Sequence, residues 1–584
     1  MIKTLFRQML LTQILSAMTV TLCMLIDNIM IGRFLGVDSM TAYGLATPIL
    51  LVFAALGSML SAGIQVMCGK TMGTGDTKST NGCYSTSVSL TGIIAVVGVL
   101  VVIIFTQPIC DLLGAGVSNV GAEVSGLTKD YLRGFIIGAP AFMFSLIMVP
   151  YMQISGSRTR LVVAVAAMTV ADVIFDLLNV LVFHGGTFGM GLASSLSYYV
   201  AFFIGVPYFF KKSCIFKFSF SLVSAKNCKY LIKYGVPTLI NQISLVLLTF
   251  VLNNVLLDVG RNLAVAAYSV ISTVGNICYS FSSGIAAVAL MLSSILFADG
   301  DRTALKTLVR TMTVYAVAIC GVVTAVIFAF ADPLITLFIT NPAAKGIAVK
   351  GLRIFVLSLV PCALNTTYKN YYQGVDKEIF TQVISVLQNF ALTALSAFLL
   401  SRFMGVTGVW TGFICGEGLT LIIICIVVFV RKGFGFTAEK FALLDDDYGV
   451  SDDKCFEVSV TDITGVVAAS EKAGEFCKKH HRLSKLSTFI ALSIEEMAYN
   501  IVSHGFDGEN DTSHSIDIRL ILLDNSCILR IRDNCKGFDP VKYLELHADD
   551  EDPTAHIGIR MVMRSVRDAR YVNSMGLNNL TLTF

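Results

Sequence analysis

Long apolar runs separated by short polar loops fill the chain as far as about residue 432, and there the pattern changes. A helix needs about 20 apolar residues to cross a bilayer. Twelve runs qualify, at 11–34, 43–68, 85–107, 131–155, 161–183, 190–210, 231–257, 264–297, 311–331, 351–374, 379–401 and 406–430. After Gly433 an acidic stretch holding Asp445, Asp446 and Asp447 leads to a predicted strand near 455–461 and helices over 462–481 and 486–504. Strands near 514–523 and 526–533, a helix opening at Gly558 and two closing strands within 570–584 follow. Ile516, Ile518, Leu520 and Leu522 alternate as in a strand with one buried face. The expectation is an all-α membrane protein of twelve transmembrane helices followed by an α+β sandwich of about 130 residues, large enough for its own core.

The apolar half compares with itself at an offset of about 225 residues. Gly75-Asp76 matches Gly300-Asp301, Pro108 matches Pro333, Leu132-Arg133 matches Leu352-Arg353, and Pro140 matches Pro361. Two six-helix lobes follow, 1–212 and 213–432, with an acidic linker over 433–454 and a soluble domain over 455–584. A duplication of this kind is a common transporter plan, with the substrate site between the lobes near the bilayer midplane.

Charge sharpens the division. The net charge of +3 over 584 residues hides 27 basic and 15 acidic residues up to Lys432, against 16 basic and 25 acidic beyond it. Soluble domains are near a quarter charged, so neither a single soluble globule nor a secreted disulfide scaffold fits. The 15 cysteines include no CxxC pair, and thiols such as Cys278 and Cys425 sit singly in apolar runs as small hydrophobes. The apolar run after Lys3 and Arg7 is too long for a signal-peptide core, so the first helix is expected to be retained. With the N-terminus inside, the inner segments hold 18 of the 27 basic residues, which places both termini in the cytoplasm of an inner (plasma) membrane protein. The +12 of this half is topology, and no nucleic-acid partner is expected.

Ionisable residues inside apolar helices are costly and mark functional candidates. The first lobe holds Asp27 on helix 1 and Asp172 and Asp176 on helix 5, the latter two one turn apart with Asn179 close to their face. Neighbouring buried carboxylates can exchange a proton or hold Na⁺; a structural hydrogen-bond network or placement near water is the other reading. In the second lobe, Lys369 on helix 10 and Glu417 on helix 12 either neutralise each other or each face water.

The run from Ile26 to Gly36, the Gly-Thr-Gly-Asp loop at 73–76 and the Asp172-x-x-x-Asp176 helix resemble the multidrug and toxic compound extrusion (MATE) family over about 1–432. The resemblance is to the branch with its cation site in the N-terminal lobe. It implies H⁺ or Na⁺ coupling by Asp27 and Asp176 with support from Asp172, which stands where that branch has Asn. The acids of the other branch, on helices 7 and 10, are absent; Asn253, Asn254 and Lys369 occupy those helices.

In the soluble half, Glu496 and Asn500 share a helix face that His504 continues, Asp533 to Asp539 follow a strand end, and His556-Ile-Gly558 opens a helix. A helical Glu can orient a water or hydroxyl, an Asn amide oxygen can ligate Mg²⁺, and a Gly-opened helix start can hold phosphates. Order and spacing together resemble the GHKL ATPases, and among them the small serine-kinase anti-sigma factors, over about 455–584. The resemblance implies ATP with Mg²⁺ as cofactor: Glu496 as activating carboxylate, Asn500 as Mg²⁺ ligand, Asp533 and Gly537 around adenine, and Gly558 near the phosphates. Cys535 and His556 stand where the two glycine boxes usually begin with Gly. His480 and His481 read as a solvated face, and no phospho-acceptor helix precedes the domain.

The expected function is a secondary exporter of small organic cations, an H⁺ or Na⁺ antiporter with a nucleotide-binding regulatory domain. No Gly-x-x-x-x-Gly-Lys-Ser/Thr loop is present to make ATP the direct power source. The alternative is a membrane sensor that signals through serine-kinase-like or sequestering activity on a cytoplasmic regulator protein.

Overall fold

The computed structural model describes residues 2–73, 76–113, 115–211, 214–336, 338, 342–446, 448–450, 452–480, 486–506, 514–523, 526–546, 557–574 and 576–584. Eleven helices are long and apolar enough to cross a membrane: Ile2–Leu35, Asp38–Gly73, Thr77–Ile104, Gly121–Ile154, Thr159–Phe183, Gly186–Tyr208, Ala225–Gly260, Leu263–Ala298, Arg302–Ala329, Glu378–Met404 and Val406–Lys432. A further pair, Lys345–Val356 and Leu359–Gly374, meets at 46° and makes the tenth of twelve spans. The bend has a local cause. Pro361 lacks an N–H and its ring crowds the carbonyl four residues back, Leu357, where the helix breaks. Each span overlaps an expected run, and several begin a turn or two earlier.

Two of the four repeated sequence marks turn out to be helix punctuation. Asp76 accepts the N–H of Ser79 at 2.9 Å and caps span 3, and Asp301 accepts that of Ala304 at 2.8 Å and caps span 9. Such caps contribute about 1 kcal/mol each. Gly300 closes span 8 at φ +67°, a conformation glycine adopts without strain. Spans 3 and 9 are both 28 residues long and both run on into a short helix with a proline, Pro108 or Pro333. Spans 5 and 11 share another device, a π-helical segment at Asn179–Phe183 and at Leu387–Ala391.

The lobes meet tightly at one end of the bundle. Span 2 packs against spans 7 and 8, where side-chain carbons at Gly63 and Gly73 would overlap the carbonyls of Leu231 and Ile295. Ser294 Oγ donates to the Gln65 carbonyl at 3.0 Å across the same seam. The C-terminal domain after residue 454 meets this end.

The acidic linker is docked. Phe441, Ala442, Leu443 and Leu444 are buried in the apolar core of the membrane half. Tyr371 and Tyr372 donate to the carbonyls of Ala442 and Phe441, at 3.2 and 3.1 Å. Lys377 pairs with Asp445 at 3.0 Å, Lys432 with Asp446 at 2.6 Å, and Lys306 with Glu439 at 2.8 Å. The Tyr448 ring stacks on Phe297, and its hydroxyl donates to the Phe297 carbonyl at 2.7 Å. Asp447 lies outside the described residues.

Beyond it, five strands, β1 (Cys455–Val460), β2 (Ile516–Leu522), β3 (Cys527–Asp533), β4 (Asp568–Ser574) and β5 (Leu577–Thr583), form one antiparallel sheet in the order β1-β2-β3-β5-β4. Ile516, Ile518, Leu520, Leu529 and Ile531 turn one face towards helices Ile463–Lys479, Ser487–Gly505 and Ile557–Ser565. A short helix, Pro540–Leu546, was not expected. The other sheet face is polar and meets the membrane half.

Candidate functional site

Spans 1 and 5 pack side by side and bring Asp27, Asp172 and Asp176 into one group. One oxygen of each carboxylate lies within 4.8 Å of the others, and all three residues are buried. Ser194 on span 6 donates to Asp27 Oδ2 at 3.3 Å. Asp27 Oδ1, Asp172 Oδ2 and both Asp176 oxygens have no hydrogen-bond donor in the protein. Burying unpaired polar oxygens costs free energy unless a proton or cation completes them, so the donor set suits a small hard cation or a shared proton. Asn179 is not part of the group. Its side chain accepts from the Gly185 N–H and donates to the Gly186 carbonyl, both at 3.1 Å, fastening the turn into span 6. Tyr43, Tyr131 and Tyr198 surround the carboxylates within electrostatic reach, and the buried Tyr131 hydroxyl also lacks a partner. Sequence reasoning missed these tyrosines because an aromatic residue within an apolar helix reads as core.

In the second lobe Lys369 and Glu417 neither pair directly nor face water. Gln388, in the π segment of span 11, stands between them: its Oε1 accepts from Lys369 Nζ at 3.0 Å and its Nε2 donates to Glu417 Oε2 at 3.1 Å. Asn241 accepts from Lys369 at 2.5 Å, and Asn365 donates to Glu417 Oε2 at 2.7 Å. Every ionised group in this network has a polar partner. Gln388 and the two asparagines carry no charge and gave no sign in the sequence.

In the C-terminal domain the selected residues fall into two groups, one around Glu496 and one around Asp533. Asn500 Nδ2 lies 3.4 Å from Glu496 Oε1, and Glu496 lies so close against Gly558 that a side-chain carbon at 558 would overlap its carboxylate. Gly558 is the second residue of its helix, which opens at Ile557. Asp533 is buried at the end of β3, where its Oδ1 accepts from Asn578 Nδ2 at 2.7 Å and from the Cys535 N–H at 2.9 Å. Burial pushes the Asp533 carboxyl above its usual range, opposed by these hydrogen bonds. Asn578, which sequence reasoning did not select, also accepts from the Tyr571 hydroxyl at 2.7 Å, beside Gly537. Cys535 tucks against Gly505 at the end of the preceding helix. His504 is exposed, His480 rests on the Phe476 ring at 5.0 Å, and His481 and His556 lie outside the described residues.

Twelve apolar spans in two repeated lobes, with buried carboxylates uncompensated in one of them, define a multi-pass membrane transporter. The chain belongs to the MatE family, whose model matches residues 13–178 and 237–399, more than half of its length. It is 24% identical over 421 residues to the multidrug export protein MepA of Staphylococcus saprophyticus, covering 72% of this chain and 91% of that protein. MepA of Staphylococcus aureus is 22% identical over 394 residues, 67% of this chain and 86% of that one. Among solved structures, the MATE transporter VcmN of Vibrio cholerae shares the fold at a TM-score of 0.68 with 19% identity, over 72% of this chain and 95% of that one. A MOP superfamily transporter of Pyrococcus furiosus does so at 0.67 with 21% identity, over 72% and 94%.

Proposed function

We propose that the chain is a secondary exporter of small organic cations, driven by return of H⁺ or Na⁺ through Asp27, Asp172 and Asp176. The observation that carries this reading is the group of three buried carboxylates with unpartnered oxygens. Such a group is stable when a proton or cation occupies it and strained when empty, so its occupancy biases which way the lobes open. An anionic interior also favours cationic cargo, in keeping with the multidrug export named for the staphylococcal relatives. The cationic inner loops support a plasma-membrane orientation with both termini in the cytoplasm. Uptake assays in proteoliposomes under an imposed pH or Na⁺ gradient test it. Gradient-driven movement of an organic cation lost in Asp27→Asn and Asp176→Asn supports the exporter, and wild-type-like movement in both variants would sink it.

For the soluble domain we propose a GHKL-type nucleotide site that regulates the transporter. The contact of Glu496 with Gly558, Asn500 one turn on, and Asp533 held by Asn578 support it. Asn500 would hold Mg²⁺, Asp533 and Gly537 the base, and Gly558 would let backbone approach the phosphates. The nucleotide would supply a transferable phosphoryl group, which Glu496 is placed to direct to a water or a partner hydroxyl. Binding of ATP·Mg²⁺ by the full chain, lost in Asn500→Ala, is the test. ATP-dependent labelling of a cytoplasmic protein without any gradient-driven transport would favour the sensor reading instead.

A further inference from the structure

Strand alternation puts Glu457, Asp517, Arg519, Arg530 and Arg532 on the sheet face away from the helices. Arg519 and Arg530 are direct cross-strand partners. Like charges placed opposite one another destabilise a sheet, so this face is poorly suited to solvent and well suited to an acidic partner. The partner is on the same chain. Asp299 Oδ1 and Oδ2 pair with Arg530 and Arg532 at 2.5 and 2.7 Å, and Asp301 Oδ2 pairs with Arg519 at 3.1 Å. Arg519 also donates to the Gly300 carbonyl at 3.2 Å and pairs with Glu457 at 2.9 Å. The side chains are nearly enclosed, Asp299 at 2% exposure and the arginines at 10–16%, a setting in which charge-assisted pairs are strong and losing one partner is expensive.

The other end of the sheet reaches the first lobe. Val572 and Leu577, on β4 and β5, join the apolar core of the membrane half and line one cavity with Ile2, Leu5 and Met72 of spans 1 and 2 and Leu296 of span 8. Arg570 lies within electrostatic reach of Asp76, the first lobe's counterpart of Asp301. One rigid sheet thus touches both lobes at the end where they are already sealed by span 2 against spans 7 and 8.

We propose that the polar face of the sheet is an autoinhibitory clamp that holds the two lobes together at this end until Asp299 and Asp301 are released. The proposal rests on the transporter reading, since an exporter must part its lobes here to load cargo. It also gives the nucleotide site a mechanical outlet: Asp533 directly follows the docking Arg532 on β3.

The test uses the full chain and two readouts, amide hydrogen exchange in detergent and gradient-driven transport in proteoliposomes. Asp299→Arg should raise exchange about tenfold or more over 2–10, 66–73 and 290–299, as easier sub-global opening does, and should speed transport several-fold. Combining it with Arg530→Asp and Arg532→Asp should return both readouts towards wild type. A milder pair, Asp299→Asn with Asp301→Asn, keeps the helix cap and should act in the same direction should the reversal fail to fold. Unchanged exchange over 2–10 and 66–73, or release of the domain without faster transport, overturns the clamp. If no variant transports, the exporter reading falls and the exchange over 2–10 and 66–73 alone decides whether the sheet holds the lobes together.

Discussion

Both lobes bury ionisable groups within their apolar spans, and they treat them in opposite ways. In the first lobe Asp27, Asp172 and Asp176 crowd together with four oxygens unpartnered and no cationic side chain among them. In the second, Lys369 and Glu417 are joined through Gln388 and flanked by Asn241 and Asn365. Duplication has kept the helix punctuation and let the interior chemistry diverge. A group that is complete without a visitor is a structural element; one that needs a proton or ion to be complete can respond to it. On this contrast the proposed ion coupling belongs to the first lobe.

A graded set of substitutions breaks or sharpens that contrast. The largest effect is expected from Asp27→Asn or Asp176→Asn: transport falls to background, with no loss of thermal stability because each removes a repulsive buried charge, as a melting curve in detergent would record. Next, Glu417→Ala leaves Lys369 buried with its network broken, and should cost about 3–5 kcal/mol of stability. Lys369→Met with Glu417→Gln should recover most of that loss while transport continues; if the double variant cannot transport, the second lobe is more than structural. Asp172→Asn should keep transport within about tenfold of wild type and move its dependence on external pH, since one fewer interacting carboxyl titrates. The smallest effect belongs to Asn179→Ala, about 1 kcal/mol of stability with transport otherwise intact, because this side chain fastens a turn.

Much of this could be read along the chain. Asp76 and Asp301 announced themselves by repetition, and their capping role explains why those two positions kept the same residue. Asp172 and Asp176 shared a helix face by spacing, and the Ile516 to Leu522 alternation placed a strand with its apolar side inward. The polar side of that strand was equally visible and yet uninformative: Arg519 has no local signal that its partner stands at Asp301, more than two hundred positions earlier. Gln388 was hidden for a different reason, since a neutral amide in a polar-tolerant helix draws no attention until two charges are found on either side of it. The linker's acids gave no sign of docking because their partners, Lys377, Lys432 and Lys306, are brought to them only by the fold.

The arginine pair across β2 and β3 has a consequence for heredity. A domain whose sheet sets Arg519 against Arg530 is at ease only where an acidic loop meets it. Transplanted onto a transporter without that loop, it would carry a self-repelling surface. The two halves are therefore expected to have been inherited as one unit. Across related fusions, changes at 299 or 301 should be matched by changes at 519, 530 or 532, while the same loop in transporters without the domain should drift freely at 299 and keep only the capping residue at 301.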